Sequence, residues 1–363
     1  MSSYNDLDHW KLGRSYSEVV QQLGRLEEEI ECRRAENRHL IKPGQWVWRT
    51  PRQTIGMQPK TVEHRNARLV AAELGFNVHN FHSFIVDIPP GGSEGAYHMH
   101  GEAIKFYLKG RAKEIIGDRE YEVEEGDVML VPAHTWHGTQ NPFSETVRFL
   151  AIAHTGAGAP LMRQPVFRIR EDLREKGFEK SKVGLAMAQR DYRPMEGFEL
   201  GRAKHHLLQE LGRLEEEMER RRALERHVMR KGELEWGEVR AGIGMASHGQ
   251  PYLYAKAIFP ELGFRAYNFL AFFLEIPPGG SEGAYHQHGE AMKYYLAGRG
   301  KEIIGDKEYE VEKGDVIFVP ANTWHGTQNL SPEPLRFFAA IQGRGTPLAV
   351  PVIFKVREDL KVD

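Results

Sequence analysis

The stretch PGGSEGAYHMHGEAIKFYLKGRAKEIIGD, residues 90–118, recurs as PGGSEGAYHQHGEAMKYYLAGRGKEIIGD at residues 278–306. Of these 29 positions, 24 are identical. The spacing is 188 residues, and two further pairs keep it: LGRLEEEIE at Leu23 with LGRLEEEME at Leu211, and IGM at Ile55 with IGM at Ile243. REDL closes both copies, at Arg170 and Arg357. A period this long describes two whole domains and excludes a solenoid of short units. The expected units are residues 1–190 and 191–363, each with a leading helix.

The quoted stretch also sets the fold class. Around it lie the short runs FHSFIVDI, AIKFYLKG, KEIIG, YEVEEGD, VMLVP and VRFLAIA, separated by PPGG, GD, EEGD and NP. Many short strands punctuated by glycine and proline predict an antiparallel barrel or sandwich. Gly117-Asp118 and Gly126-Asp127 read as turns. Upstream, Val19 to about Leu40 carries Leu23, Leu26 and Ile30 at helical spacing among Glu and Arg, and about Leu207 to Met229 repeats the pattern. The alternating charges there read as a solvated helix face.

Composition narrows the function. The 363 residues carry a net charge of −2, which gives no reason to expect nucleic acid or an anionic membrane as partner. No apolar run approaches a membrane span, and the first residues lack the apolar stretch of a signal peptide. A single cysteine, Cys32, excludes an intramolecular disulfide framework, so a cytoplasmic location is expected. Metal chemistry would fall to His, Asp and Glu, and there are 17 histidines.

His98-Met99-His100 puts two imidazoles on one face of a strand, with Tyr97 and Met99 on the other. If that face looks into a barrel, two imidazoles enter an apolar interior and need partners. A divalent metal would meet that need, and a third histidine would leave open coordination positions. His137 is that third candidate. His286, His288 and His325 repeat the trio. Asn141 and Asn329 read as turn residues.

These segments resemble the two motifs of the cupins. Gly92 precedes His98 by five intervening residues, Gly126 precedes Pro132 likewise, and His137 and Asn141 follow at the motif spacing. Gly280, His286, His288, Gly314, Pro320, His325 and Asn329 repeat them. The resemblance implies a mainly β chain of two tandem jelly-roll barrels. The usual cupin glutamate ligand is replaced by Ala103 and Ala291, with Glu102 and Glu290 one residue away, so a three-histidine site is expected.

Within the cupins, Ala103-Ile104-Lys105-Phe106 and GDVMLVPAHTWHGTQN resemble the gentisate, salicylate and 1-hydroxy-2-naphthoate dioxygenases. That resemblance implies Fe(II) held by His98, His100 and His137; such relatives commonly keep iron in one domain only, but His286, His288 and His325 retain the trio here, so a second iron site is expected. It implies ring cleavage of a hydroxylated aromatic acid with O2, in a homo-oligomer. Lys105 and Lys293 take the place of an arginine that contacts the substrate carboxylate. Trp136 and Trp324 are candidates to stack on the ring. Arg148, Arg336, Gln140 and Gln328 are candidates to line the pocket. Lysine for arginine is a real change at such a site, and Thr139 stands where these relatives often have another histidine. His134 faces Asn322 across the repeat, which predicts two inequivalent sites. Other readings of the same pattern are a β-diketone dioxygenase, a metal-dependent isomerase and a non-catalytic binding protein.

Overall fold

The computed structural model describes residues 38–50, 64–94, 97–154, 166–168, 226–239, 251–282, 285–342 and 353–355. Each copy is a pair of antiparallel sheets, one of seven strands and one of five. The predicted strand runs reappear as Phe81–Ile88, Ala103–Lys109, Arg111–Ile116, Arg119–Glu124, Val128–Val131 and Val147–His154. Gly117-Asp118 forms the two-residue turn between the paired ends Ile116 and Arg119. Gly117 has φ +57°, which suits a hairpin turn that glycine enters without strain.

The five-stranded sheet of copy one runs Val166–Arg168, Tyr97–Met99, His137–Gln140, Arg111–Ile116, Arg119–Glu124. It carries the three histidines. The seven-stranded sheet has Ala103–Lys109, Val147–His154 and Phe81–Ile88 at its centre. Val128–Val131 and Val147–His154 are buried on both faces, which is why VMLV and FLAIA read as unbroken apolar runs. One face, with Ala103, Tyr107, Phe149, Ala151 and Met129, fills the barrel of copy one. The other, with Ile104, Phe106, Leu150 and Ile152, joins Phe273, Met292, Phe338 and Ala340 of copy two in one core. Phe106 stacks on Phe338 at a centroid distance of 4.7 Å and meets Phe273 edge-on at 5.2 Å. The two copies are therefore joined through their larger sheets.

They also exchange strands. Leu40–Ile41 pairs with Val316–Val319 of copy two, and Val228–Met229 pairs with Val128–Val131 of copy one. Each short strand closes an edge that would otherwise present unpaired N–H and C=O groups. Lys42 then reaches the Asp315 carboxylate at 3.2 Å, and Arg230 reaches Asp127 at 2.8 Å. This corrects the sequence reading at its ends: Leu40, Val228 and Met229 are strand, not helix. Pairing across the repeat overrides local helical spacing there. The rest of both predicted helices lies outside the described residues. Among the described residues, no helix is long and apolar enough to cross a membrane.

Candidate metal centre

His98 and His137 are directly opposed on neighbouring antiparallel strands, as are His286 and His325. Period-two alternation puts His100 on the same face as His98. The ring centroids lie 4.3 Å apart for His98–His137, 5.3 Å for His98–His100 and 4.6 Å for His100–His137. Copy two repeats these at 4.3, 5.2 and 4.7 Å. In each trio one ligand atom per histidine lies within 4.8 Å of the others.

The backbone sets which nitrogen faces the centre. His100 Nδ1–H donates to the Gly101 carbonyl at 2.6 Å, and His137 Nδ1–H donates to Thr135 at 2.8 Å. His288 and His325 do the same to Gly289 and Thr323. A proton fixed on Nδ1 leaves the Nε2 lone pair for a metal. The Nε2 atoms of His137 and His325 are buried and make no hydrogen bond. An orphaned buried acceptor is costly, and a cation supplies the missing partner. Burial first, then the neighbouring imidazoles, holds His137 and His325 well below the usual histidine range. The same causes bring His100 down to about 3 and His288 to about 4. These four imidazoles are thus uncharged at neutral pH, as metal donors must be.

Local backbone supports the trio. Gly101 follows His100 because a Cβ there would lie 2.7 Å from the His154 carbonyl oxygen. His134, ahead of the distal histidine, has φ +58° and gives its N–H to the His100 carbonyl at 2.8 Å. Asn322 has the same φ and the same bond to His288. Asn and His are enriched among the non-glycine residues found in this conformation. The substitution across the repeat thus preserves one backbone role.

No carboxylate from the Glu102 position enters the centre. Glu102 faces copy two, where it accepts the backbone N–H groups of Tyr267, Asn268 and Phe269 at 2.8, 2.8 and 2.9 Å. Glu290 reciprocally accepts from His79 N, Asn80 N and Asn80 Nδ2 at 2.6, 2.9 and 3.2 Å. Ala103 and Ala291 occupy the inward positions.

Lys105 does point into the barrel, with Ala103 and Tyr107. Its ammonium is nevertheless engaged: Glu94 at 2.8 Å, Glu114 at 3.0 Å and Thr139 Oγ1 at 2.7 Å. Lys293 is held by Glu282, Glu302 and Thr327 at 2.8, 2.8 and 2.7 Å. Sequence reading missed these carboxylates. Glu94 and Glu282 sit four residues before the first motif histidine, and Glu114 and Glu302 sit in KEIIG, where an inward Glu in an apolar strand was the available signal.

The other candidates fall elsewhere. Trp136 stacks on Tyr97 at 5.7 Å, and Trp324 on Tyr285 at 5.7 Å. Tyr97 and Tyr285 lie on the strand face opposite the histidines. Arg148 shares the strand face of Leu150 and Ile152, and pairs with Asp87 at 2.6 Å. Arg336 pairs with Glu275. Gln140 and Gln328 fall on the face opposite His137–Thr139 and His325–Thr327 by alternation. The structure brings none of these four to the trios. Asn141 holds a turn, donating to Ile88 O at 2.8 Å and Glu145 O at 2.6 Å.

Comparison with known proteins bears on the fold. The cupin domain family matches residues 84–153 and again 272–341. The chain carries two cupin domains. The chain is 38% identical over 63 residues to an uncharacterised protein of Methanocaldococcus jannaschii, a match spanning 17% of this chain and 50% of that protein. The chain thus matches half the length of that curated relative. Among solved structures, an oxalate decarboxylase–formate complex from Lactobacillus farciminis is similar at TM-score 0.55 and 16% identity, over 87% of this chain and 88% of that one. A variant of Bacillus subtilis oxalate decarboxylase is similar at TM-score 0.52 and 16% identity, over 87% and 79%. At that identity the likeness is one of fold: a two-cupin chain.

Proposed function

We propose that each cupin domain holds a divalent metal through its three histidines, and that the chain is a metal-dependent enzyme. The observation that carries this is the pair of buried, orphaned Nε2 atoms on His137 and His325, each within a trio in which two Nδ1 atoms are held by backbone carbonyls. Three neutral imidazoles would leave the ion its full charge and open positions, which favours an anionic substrate with two oxygen donors. Bound there, Fe(II) would supply redox chemistry with O2.

The finer reading is a ring-cleaving dioxygenase for a hydroxylated aromatic acid, supported by the Ala103–Gly110 and TWH segments. In this reading the protein's own residues do less than the segment resemblance suggested. Lys105 and Lys293 are neutralised by paired carboxylates, so charge recognition of the substrate falls to the metal position. The apolar barrel lining, with Ala103, Tyr107, Met129 and Phe149, keeps the reacting ligand out of water.

The test is oxygen uptake by anaerobically Fe(II)-loaded protein across salicylates, gentisate, hydroxynaphthoates, β-diketones and oxalate. Uptake with a hydroxybenzoate, together with loss of its aromatic absorbance, is the expected result. Uptake with a diketone alone would replace the substrate class. Bound metal with no uptake on any of them would remove the oxygenase reading.

A further inference from the structure

Beside each histidine trio lies a second buried polar cluster. In copy one it comprises Glu94, Lys105, Tyr107, Glu114 and Thr139. Lys105 and Tyr107 come from inward positions of the seven-stranded sheet, Glu114 and Thr139 from paired strands of the five-stranded sheet, and Thr139 lies two residues along the strand from His137. Counting protons decides its state. There are three oxygen–oxygen contacts: Thr139 Oγ1 to Glu94 at 2.7 Å, Thr139 Oγ1 to Glu114 at 2.5 Å, and the Tyr107 hydroxyl to Glu114. The two hydroxyls own two protons between them. The Lys105 N–H groups are used on Glu94, Glu114 and Thr139. One contact therefore needs a third proton, and it must sit on a carboxyl group. Copy two gives the same count: Thr327 to Glu282 at 2.9 Å, Thr327 to Glu302 at 2.7 Å, and Tyr295 to Glu302 at 2.6 Å, with Lys293 bonded to all three partners.

The bonding says which carboxyl. One oxygen of Glu94 receives Lys105 Nζ, the Thr139 N–H and the Thr139 hydroxyl, a set of donors that suits an anion. Glu114 is completely buried and shares its cation with an ionised neighbour. We propose that Glu114 and Glu302 each store one proton in the metal-free protein, and that this proton is released when a divalent cation binds the adjacent trio. The inference rests on the metal-centre reading given above.

Two further facts agree. Burial drives the Glu114 carboxyl above its usual range; Lys105 opposes this and the Glu94 charge adds to it. Burial would raise Glu94 as well, but Lys105, His98 and the Thr139 hydroxyl together hold it down to about 2. The stored proton leaves the metal-free cluster neutral: Lys105 positive, Glu94 negative, Glu114 uncharged. A doubly charged ion arriving at the trio changes that balance. The Glu114 O–H bond then breaks, the proton passes to a base in solvent, and a carboxylate remains near the new charge; no electrons are transferred. Each copy thereby acquires a buried base next to its open coordination positions.

The experiment compares the full chain with E114Q/E302Q. Glutamine copies a neutral acid, donor on one side and acceptor on the other, so this variant should fold like the parent. Infrared spectra of the metal-free proteins at pH 8 should show the carbonyl stretch of a protonated carboxyl in the parent and not in the variant. Its absence from the parent would overturn the stored proton. Calorimetric titration with Mn(II) at pH 8, in buffers of different ionisation enthalpy, should show the parent releasing about one proton more per ion than the variant. Equal release would overturn the coupling and assign the protons to histidines or bound water. If the variant fails to fold, 13C-carboxyl glutamate labelling of the parent locates the band, and a parent releasing no proton overturns the proposal. Failure of the parent to bind Mn(II) would overturn both the release and the metal-centre reading, while the infrared band would still decide the stored proton.

Discussion

Replacing Glu102 tests whether the residue beside the H-x-H pair serves the metal or the joint between the copies. Its carboxylate is 2% exposed and accepts three backbone N–H groups from the other cupin domain. Hydrogen bonds to a charged acceptor contribute roughly 1.5–3 kcal/mol each, and such contributions are not additive. In Glu102→Ala all three donors lose their acceptor, and two of them, on Asn268 and Phe269, belong to buried residues. The expected cost is about 3–5 kcal/mol, in the range of other broken buried networks. With a urea m-value of about 4 kcal/mol per molar for a chain of this size, the midpoint falls by roughly 0.8–1.2 M. Glu102→Gln keeps one acceptor oxygen and turns an NH2 toward a backbone donor, so a loss of about 2–3 kcal/mol is expected. The assay is urea unfolding followed by tryptophan fluorescence, paired with metal analysis of the folded protein. Both variants should bind the parent's complement of metal. A stability within about 0.5 kcal/mol of the parent, or loss of one metal per chain without loss of stability, would refute the brace and return Glu102 to the ligand set.

Other perturbations separate the two centres. Replacing His98 and His286 together with alanine should abolish metal binding, while His137→Ala alone should leave the copy-two metal; elemental analysis of purified protein reads both. Lys105→Met should cost about 3–5 kcal/mol in urea unfolding, because Glu94 and Glu114 would remain buried without their cation. Trp136→Phe should leave the Michaelis constant of any substrate within about twofold, since the ring packs on Tyr97 outside the trio. Acid sensitivity has a definite sign. Glu94 and Glu282 are lowered from 4.5 to about 2, so their contribution is present above pH 4.5 and is lost as pH falls from 4.5 toward 2. In Glu94→Gln/Glu282→Gln that part of the acid slope in thermal unfolding should be missing.

Much of the fold and of the histidine trios is legible in the sequence. Alternation alone placed His98 and His100 on one face, and the 188-residue repeat placed the second trio. The strand runs were marked by glycine and proline at their ends, because turns need those backbone geometries. What stayed hidden depends on contacts distant in sequence. Lys105 reads the same whether it faces a substrate or two glutamates, and the deciding partner, Glu114, comes from another strand. Arg148 lies on a strand with both faces buried, so burial pattern could not say which face looks into the barrel. Leu40 and Val228 continue a helical spacing and become strand only because the other copy offers an open edge.

The exchanged strands bear on why the two sites should be considered together. Glu102 follows His100 by two residues and is anchored in copy two; Glu290 follows His288 by two and is anchored in copy one. Each histidine-bearing turn is therefore held partly by the backbone of the other domain. Leu40–Ile41 and Val228–Met229 add a second reason, since each domain's sheet is completed by hydrogen-bonded chain belonging to the other. A separated half would open one sheet edge and expose the face carrying Ile104, Phe106, Leu150 and Ile152, residues that are 0–3% exposed in the intact chain. Burying even one such side chain is worth about 1.5–3 kcal/mol, so the half-chain lacks a large part of what holds it folded. The unit that presents either histidine trio is the whole duplicated chain.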